Sequence, residues 1–159
     1  MNRERITFRP ETDADADLLY QLYSSTREEE MKMVPWNDAE KEGFLRQQFQ
    51  AQTAHYKQNY ADAEYLIIQL DGLPVGRLYL HDSAADLRIM EILLAPSQRG
   101  SGIGTMLIRE ILERARSAGK IVSIHVEHFN PAVQLYERLG FKRKDSYGVY
   151  YLYEWSGDA

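Results

Sequence analysis

The chain has 159 residues, no cysteine, 44% hydrophobic and 27% charged residues, and a formal net charge of −5 at pH 7. This composition is typical of a globular protein, and the length suits a single domain over residues 1–159. The absence of cysteine excludes disulfides, thiolate zinc sites and cysteine nucleophiles. The negative charge argues against a general nucleic-acid binder, because such a protein presents a basic face.

The sequence carries no membrane or export signal. No apolar run approaches the roughly 20 residues that cross a bilayer. The first residues lack the apolar stretch and cleavage site of a secretory signal. We therefore expect a cytoplasmic protein with no membrane partner.

The acidic charge is concentrated in the N-terminal part. Residues 1–64 hold 13 acids and 8 bases, whereas residues 65–159 hold 11 of each. A solvated helix around Glu28–Glu30 explains part of this excess, because runs of carboxylates usually face water. An acidic surface that favours a cationic amine substrate is the alternative.

The N-terminal third predicts a strand and two helices. A strand at residues 6–9 precedes a capping pattern at residues 12–15 and then apolar residues at helical spacing. After Pro35, a second helix begins with Asn37 and Glu40 as caps and runs into the mid-50s.

The middle of the chain predicts three strands. Apolar runs at residues 65–70 and 75–80 flank Asp71-Gly72, a pair that favours a tight hairpin. The third strand covers residues 87–94 and leads into a glycine-rich turn.

Three glycines stand at alternate positions in this turn, namely Gly100, Gly102 and Gly104. In the helix that follows, apolar residues recur every four positions from Ile103 to Ala115, and Gly119 ends it. Such a turn leaves backbone N–H groups free to bind a phosphate at a helix N-terminus. A tight turn or close helix packing is the alternative reason for the glycines.

The spacing of the glycines narrows the choice of ligand. Thr105 replaces the last glycine of Gly-x-Gly-x-x-Gly, which argues against a dinucleotide fingerprint. The turn also lacks Gly-Lys-Ser/Thr, which excludes a P-loop nucleotide hydrolase.

The C-terminal part predicts a strand at residues 121–127, a short helix at residues 131–139 and a tyrosine-rich hairpin arm at residues 147–155. The whole pattern indicates an α+β fold with one sheet and helices on its faces. No repeat or linker divides the chain.

Two sequence blocks resemble the GNAT (GCN5-related) N-acetyltransferase superfamily. Gln98-Arg99-Gly100-Ser101-Gly102-Ile103-Gly104 resembles its acetyl-CoA motif, Gln/Arg-x-x-Gly-x-Gly/Ala, and residues 92–96 are similar to its fourth strand. Asn130-Pro131-Ala132 and the run from Leu135 to Phe141 resemble its second motif. The two blocks stand in the family's order and cover about residues 87–141.

The resemblance implies a fold and an activity. The fold is a mostly antiparallel, twisted sheet of six to seven strands, splayed at a cofactor cleft and flanked by about four helices. The activity is acetyl transfer from acetyl-CoA to a primary amine of a small molecule or protein. A module that senses acyl-CoA without turnover is the alternative. Many members of the family are dimers, so a homodimer is a further expectation.

The resemblance also implies which residues bind the cofactor. The backbone of Leu93 and Leu94 pairs with the pantetheine arm, and Asn130 contacts the arm from the other side. A backbone N–H of the strand near Leu94 stabilises the oxyanion of the tetrahedral intermediate. The pyrophosphate is cradled by the turn and the start of the helix, through Arg99, Gly100, Ser101, Gly102, Ile103, Gly104 and Thr105. A solvated surface position is the alternative for Arg99.

Glu91 and Tyr136 are the candidate catalytic residues. Glu91 interrupts an apolar strand, where a carboxylate is costly unless it is used or paired, and it could take the proton of the acceptor amine. Its alternatives are a pair with Arg77 or Arg88, or a position facing water, and a strand bulge would change its direction. Tyr136 matches the family position that protonates the departing thiolate, and the alternative is an ordinary core aromatic.

The acceptor side is less defined. Eight residues are candidates for its lining, although aromatic residues more often belong to the core: Trp36, Phe44, Tyr56, Tyr79, His81, His125, Glu127 and Phe129. His125 and His128 are three apart, which places them on opposite faces of a strand, so we expect no metal site.

Overall fold

The computed structural model describes residues 2–157. They form an α+β fold around one seven-stranded sheet. The strands are β1 (Ile6–Pro10), β2 (Glu64–Leu70), β3 (Leu73–Asp82), β4 (Asp86–Leu94), β5 (Ile121–Glu127), β6 (Lys142–Tyr147) and β7 (Tyr150–Trp155). The helices are α1 (Ala16–Ser25), α2 (Glu28–Lys32), α3 (Asp38–Asn59), α4 (Ile103–Ala118) and α5 (Ala132–Arg138). No helix among these residues is long and apolar enough to span a membrane.

The predicted fold class is confirmed, with two local differences. The described residues contain five α-helices, because Glu28–Glu30 begins the separate short helix α2 with its three carboxylates exposed. The hairpin arm at residues 147–155 pairs with β6, which had no strand prediction of its own. All six residues of β6 are exposed, so this edge strand lacks the apolar alternation that predicts strands.

The sheet has the order β1-β2-β3-β4-β5-β7-β6, and only β4 and β5 are parallel neighbours among the described strands. Its two faces differ. One face packs against α4 and α5 in the main core, which includes Leu78, Ile89 and Ile111. The other face meets α3, since Gln52 bonds the β3 residue Arg77. A smaller apolar cluster fills the space between the N-terminal helices.

β4 and β5 separate halfway along their length. Their pairing runs from Asp86 with Ile121 to Ile89 with Ile124 and ends there. A bulge lies at the same point, because Tyr79 of β3 pairs with Glu91 while the next residue of β3 pairs with Ile89. Residue 90 is therefore an extra residue in β4. The second half of β4 faces a gap instead of a neighbouring strand.

Candidate active site

The turn between β4 and α4 presents a row of unused backbone donors. The six N–H groups from Gly100 to Thr105 donate no hydrogen bond within residues 2–157, and the first backbone bond of α4 runs from the N–H of Met106 to the carbonyl of Gly102. Gly100 and Gly102 adopt φ angles of 74° and 90°, which glycine tolerates. A Cβ atom at either position would meet nothing within 4 Å. The free donors and the helix N-terminus together suit an anion.

Buried and hydrogen-bonded residues fix the turn to the sheet. The side chain of Ile103 is fully buried in the main core. The Cβ position of Gly104 lies 3.9 Å from Cδ1 of Leu94. Arg99 donates from Nε to the carbonyl of Leu94 at 3.1 Å and from Nη2 to the Ser25 hydroxyl at 3.0 Å. Arg99 is therefore an exposed residue whose guanidinium is bonded to the end of β4 and to α1.

Polar side chains lie around the turn and along the first turns of α4. The Ser101 hydroxyl donates to the carbonyl of Gln98 at 2.6 Å. Thr105 and Arg109 line a groove beside Gly102. Glu110 and Glu113 line the same groove, so it carries charges of both signs.

Glu91 lies on the face of β4 that meets α3. The bulge puts it there, because it pairs with Tyr79 on the same face of the neighbouring strand. Its Oε2 atom is 2.9 Å from Nη2 of Arg77 and accepts a hydrogen bond from the Tyr56 hydroxyl at 3.3 Å. The pair with Arg77 is one of the alternatives that the sequence left open. Oε1 accepts no hydrogen bond from the described residues.

Arg77 is almost completely removed from solvent. Its side chain is 1% exposed, and that of Glu91 is 16% exposed. Nη2 also donates to Gln52 at 3.2 Å, while Nε has no hydrogen-bond partner among residues 2–157. Burial lowers the pKa of Arg77, but the charge of Glu91 and the neighbouring tyrosines outweigh burial, so the pKa stays above its usual value. Glu91 is therefore the counter-ion of a buried guanidinium.

Tyr136 lies in the main core at the inner side of α5. It is 5% exposed, and its ring packs against Phe141 with 5.6 Å between the ring centroids. Burial, and then the charge of Glu91, raise the pKa of Tyr136 to about 12. The hydroxyl forms no hydrogen bond within the described part of the chain. The two predicted catalytic residues are thus close enough for the carboxylate to affect the phenol.

Asn130 begins α5. Its Oδ1 atom accepts a hydrogen bond from the N–H of Ala132 at 2.9 Å, and the residue is exposed. Leu93 and Leu94 lie in the second half of β4, past the point where β5 separates. Leu93 and Leu94 therefore lie beside the gap, and the glycine turn follows the end of β4. No group of three or more metal-ligating side chains occurs among residues 2–157.

Several polar residues near the gap could not be identified as site candidates from the sequence. Arg27 lies between α1 and α2, and Tyr150 begins β7. Tyr150 is the cross-strand partner of Glu127 at the end of β5. These positions come together only through the sheet topology, and their types are common on any surface. Arg77 had been named only as a partner for Glu91, because its burial depends on α3 crossing the sheet.

Comparisons with known proteins agree with this geometry. The model of the acetyltransferase (GNAT) family matches residues 18–141. The chain belongs to the acetyltransferase (GNAT) family. The predicted family is thereby confirmed.

One curated relative and two solved structures illustrate the likeness. An uncharacterized N-acetyltransferase of Methanocaldococcus jannaschii is 33% identical over 90 residues, which cover 51% of this chain and 40% of that protein. PaiA N-acetyltransferase of Thermoplasma acidophilum, in complex with coenzyme A, has a TM-score of 0.70 at 19% identity over 95% of this chain and 98% of that one. Arabidopsis thaliana Naa50, in complex with a bisubstrate analogue (CoA-Ac-MVNAL), has a TM-score of 0.63 at 19% identity over 96% of this chain and 99% of that one.

The Arg77–Glu91 pair of this GNAT domain leads to a stability prediction. Glu91→Gln leaves the buried guanidinium of Arg77 without a counter-ion, so we expect the free energy of unfolding to fall by about 3 kcal/mol. Replacement of both partners, Arg77→Met with Glu91→Leu, removes the buried charge and is expected to cost much less. Urea denaturation of the three proteins measures the difference. An unchanged stability of Glu91→Gln contradicts the role of Glu91 as counter-ion.

Proposed function

We propose that the chain transfers the acetyl group of acetyl-CoA to a primary amine. The observation that carries this proposal is the row of six free N–H groups in the turn after β4, whose second half, with Glu91, has no β5 partner. Family membership supports the acetyl donor. The coenzyme A and the bisubstrate analogue bound to the two structural neighbours support a cofactor in this cleft.

In the proposed complex the turn holds the pyrophosphate of acetyl-CoA. The amides of Gly100 to Thr105 donate to its oxygens, and the partial positive charge at the start of α4 adds to the attraction. The pantetheine arm lies along Leu93 and Leu94, where β4 has no parallel neighbour, and Asn130 contacts it from the side of α5. The thioester then points toward Tyr136.

The chemical step needs an uncharged amine. A lysine-like amine has a pKa of about 10.4, so it arrives mainly as an ammonium ion and must lose a proton. Its nitrogen forms a bond to the thioester carbonyl carbon, and the bond from that carbon to sulfur breaks. The products are the amide, the CoA thiol and one released proton.

Two side chains move the protons in this proposal. Glu91 takes the proton of the ammonium at Oε1, the oxygen that accepts no hydrogen bond from the described residues. Tyr136 donates to the departing thiolate, and its pKa of about 12 keeps the phenol protonated at neutral pH. Domain boundaries at 1 and 159, a cytoplasmic location and a homodimer remain predictions from the sequence.

The direct test is release of free CoA thiol from acetyl-CoA across a panel of amines, amino acids and short peptides. Calorimetry first establishes whether acetyl-CoA binds. Binding with turnover on one class of acceptor supports the proposal. Binding without turnover on any acceptor favours an acyl-CoA sensor instead.

Gly102→Trp tests the pyrophosphate site. The indole fills the open space in front of the free amides, so we expect acetyl-CoA to bind roughly 100-fold more weakly or worse, since two charge-assisted hydrogen bonds account for about 3 kcal/mol. Gly119→Trp is the matched control, because Gly119 also has a positive φ and open space but lies at the far end of α4. Equal affinities of the two variants, measured by calorimetry, would place the cofactor elsewhere.

Tyr136→Phe tests the proton donor. Removal of the hydroxyl is expected to lower kcat roughly 100-fold, within the usual contribution of a general acid, with little change in acetyl-CoA affinity. Folding should be nearly unaffected, because this hydroxyl makes no hydrogen bond with described residues. Tyr147→Phe, in the exposed hairpin, is the control. A normal kcat in Tyr136→Phe would leave Tyr136 as a core aromatic only.

A further inference from the structure

Glu127 has a carboxylate that is half-buried and poorly paired. It ends β5, and its side chain is 23% exposed. Its carboxylate accepts no hydrogen bond from residues 2–157, and the ion pair of that carboxylate is with Nη1 of Arg27 at 3.7 Å. That distance is an ion pair without a hydrogen bond, so the carboxylate keeps capacity for a further donor.

Glu127 faces the same gap as Glu91. Ser123 of β5 pairs with Arg88 of β4. Glu127 follows Ser123 by four residues, so the two side chains lie on the same face of the sheet. On β4 the bulge keeps Glu91 on the face that carries Arg88. The two carboxylates therefore stand on opposite sides of the gap, and both project toward the N-terminal helices.

Tyrosine rings line the space between the two carboxylates. Tyr150 is the cross-strand partner of Glu127, and Tyr56 donates its hydroxyl to Glu91. Burial raises the pKa of Tyr150, and the charges of both Glu127 and Glu91 add to that rise. Tyr150 therefore lies within the field of both carboxylates. Aromatic rings with carboxylates form a typical environment for an organic cation.

A cation of the chain already occupies this environment. The guanidinium of Arg27 lies 5.5 Å from the centre of the Tyr23 ring and 3.7 Å from Glu127. Its stronger bond, at 2.9 Å, is to Glu30 in the next helix, whose side chain is 48% exposed. Arg27 is therefore held mainly from the solvent side and only loosely by Glu127.

From this arrangement we infer that Glu127, Tyr150 and Tyr23 bind a second cationic group of the acceptor, which displaces the guanidinium of Arg27. This inference rests on the proposed function and names the acceptor class, a diamine or a longer polyamine. The reactive amine lies at Glu91 and loses its proton there. The other amine stays protonated at Glu127, where ion pairing and the tyrosine rings hold it.

The test compares α,ω-diamines of three to eight carbons with monoamines of the same length. Calorimetry measures their binding to the complex with CoA, which requires no turnover, and thiol release measures KM and kcat. For the best diamine, Glu127→Gln is expected to weaken binding and raise KM about tenfold, with no effect on the monoamine. Arg27→Gln is expected to tighten diamine binding, because the internal competitor is gone. Glu4→Gln, at an exposed position before β1, is the charge control.

Each result separates the subsite from the proposed function. If Glu127→Gln still acetylates amines but loses the same amount of activity toward the monoamine and the diamine, the subsite is overturned. The acetyltransferase activity then stands. Weaker binding of carboxylate-bearing amines in Arg27→Gln, with diamines unaffected, also overturns it, because Arg27 then binds an anion. Selective diamine binding without thiol release keeps the subsite and contradicts the proposed function.

Discussion

The separation of β4 from β5 is the constraint on which the candidate site depends. A buried strand normally has its N–H and C=O groups paired on both sides, because an unpaired buried group costs free energy. β4 is paired with β5 over four residues only, and the extra residue at position 90 lies where the pairing ends. The second half of β4 therefore has one side available to a ligand. The glycine turn that follows presents a second row of free N–H groups, from Gly100 to the start of α4.

The bulge also determines what the gap contains. In a regular strand Glu91 would share the face of Leu87 and Ile89, which belongs to the main core. The extra residue moves Glu91 to the opposite face, beside Arg77 and under α3. A carboxylate in the apolar core would be costly, whereas here it balances a buried guanidinium. One irregular residue thus opens the gap and places an ionised side chain next to it.

Much of the fold could be predicted from the sequence. The Asp71-Gly72 hairpin and the helix from Ile103 to Gly119 have local signals, since turn chemistry and apolar spacing depend on neighbours in the chain. β6 had none, because an edge strand exposed on both faces has no apolar pattern. The glycine turn indicated an anion site, but the resemblance of two motifs was needed to name the cofactor.

The surroundings of the catalytic candidates could be predicted less well. The sequence left open whether Glu91 faces the cleft or pairs with an arginine, because a bulge cannot be located from residue types alone. The structure shows the pair with Arg77, and the charge of Glu91 contributes to the raised pKa of Tyr136. Arg27, Glu127 and Tyr150 meet through three different elements, so no local pattern brings them together.

Amide hydrogen exchange with and without acetyl-CoA tests most directly whether the gap is the cofactor site. The account predicts slower exchange on binding in residues 90–94 and 100–105, with β1 and β2 unchanged, because free amides in both segments gain acceptors. Tight binding of acetyl-CoA without protection in either segment would contradict it.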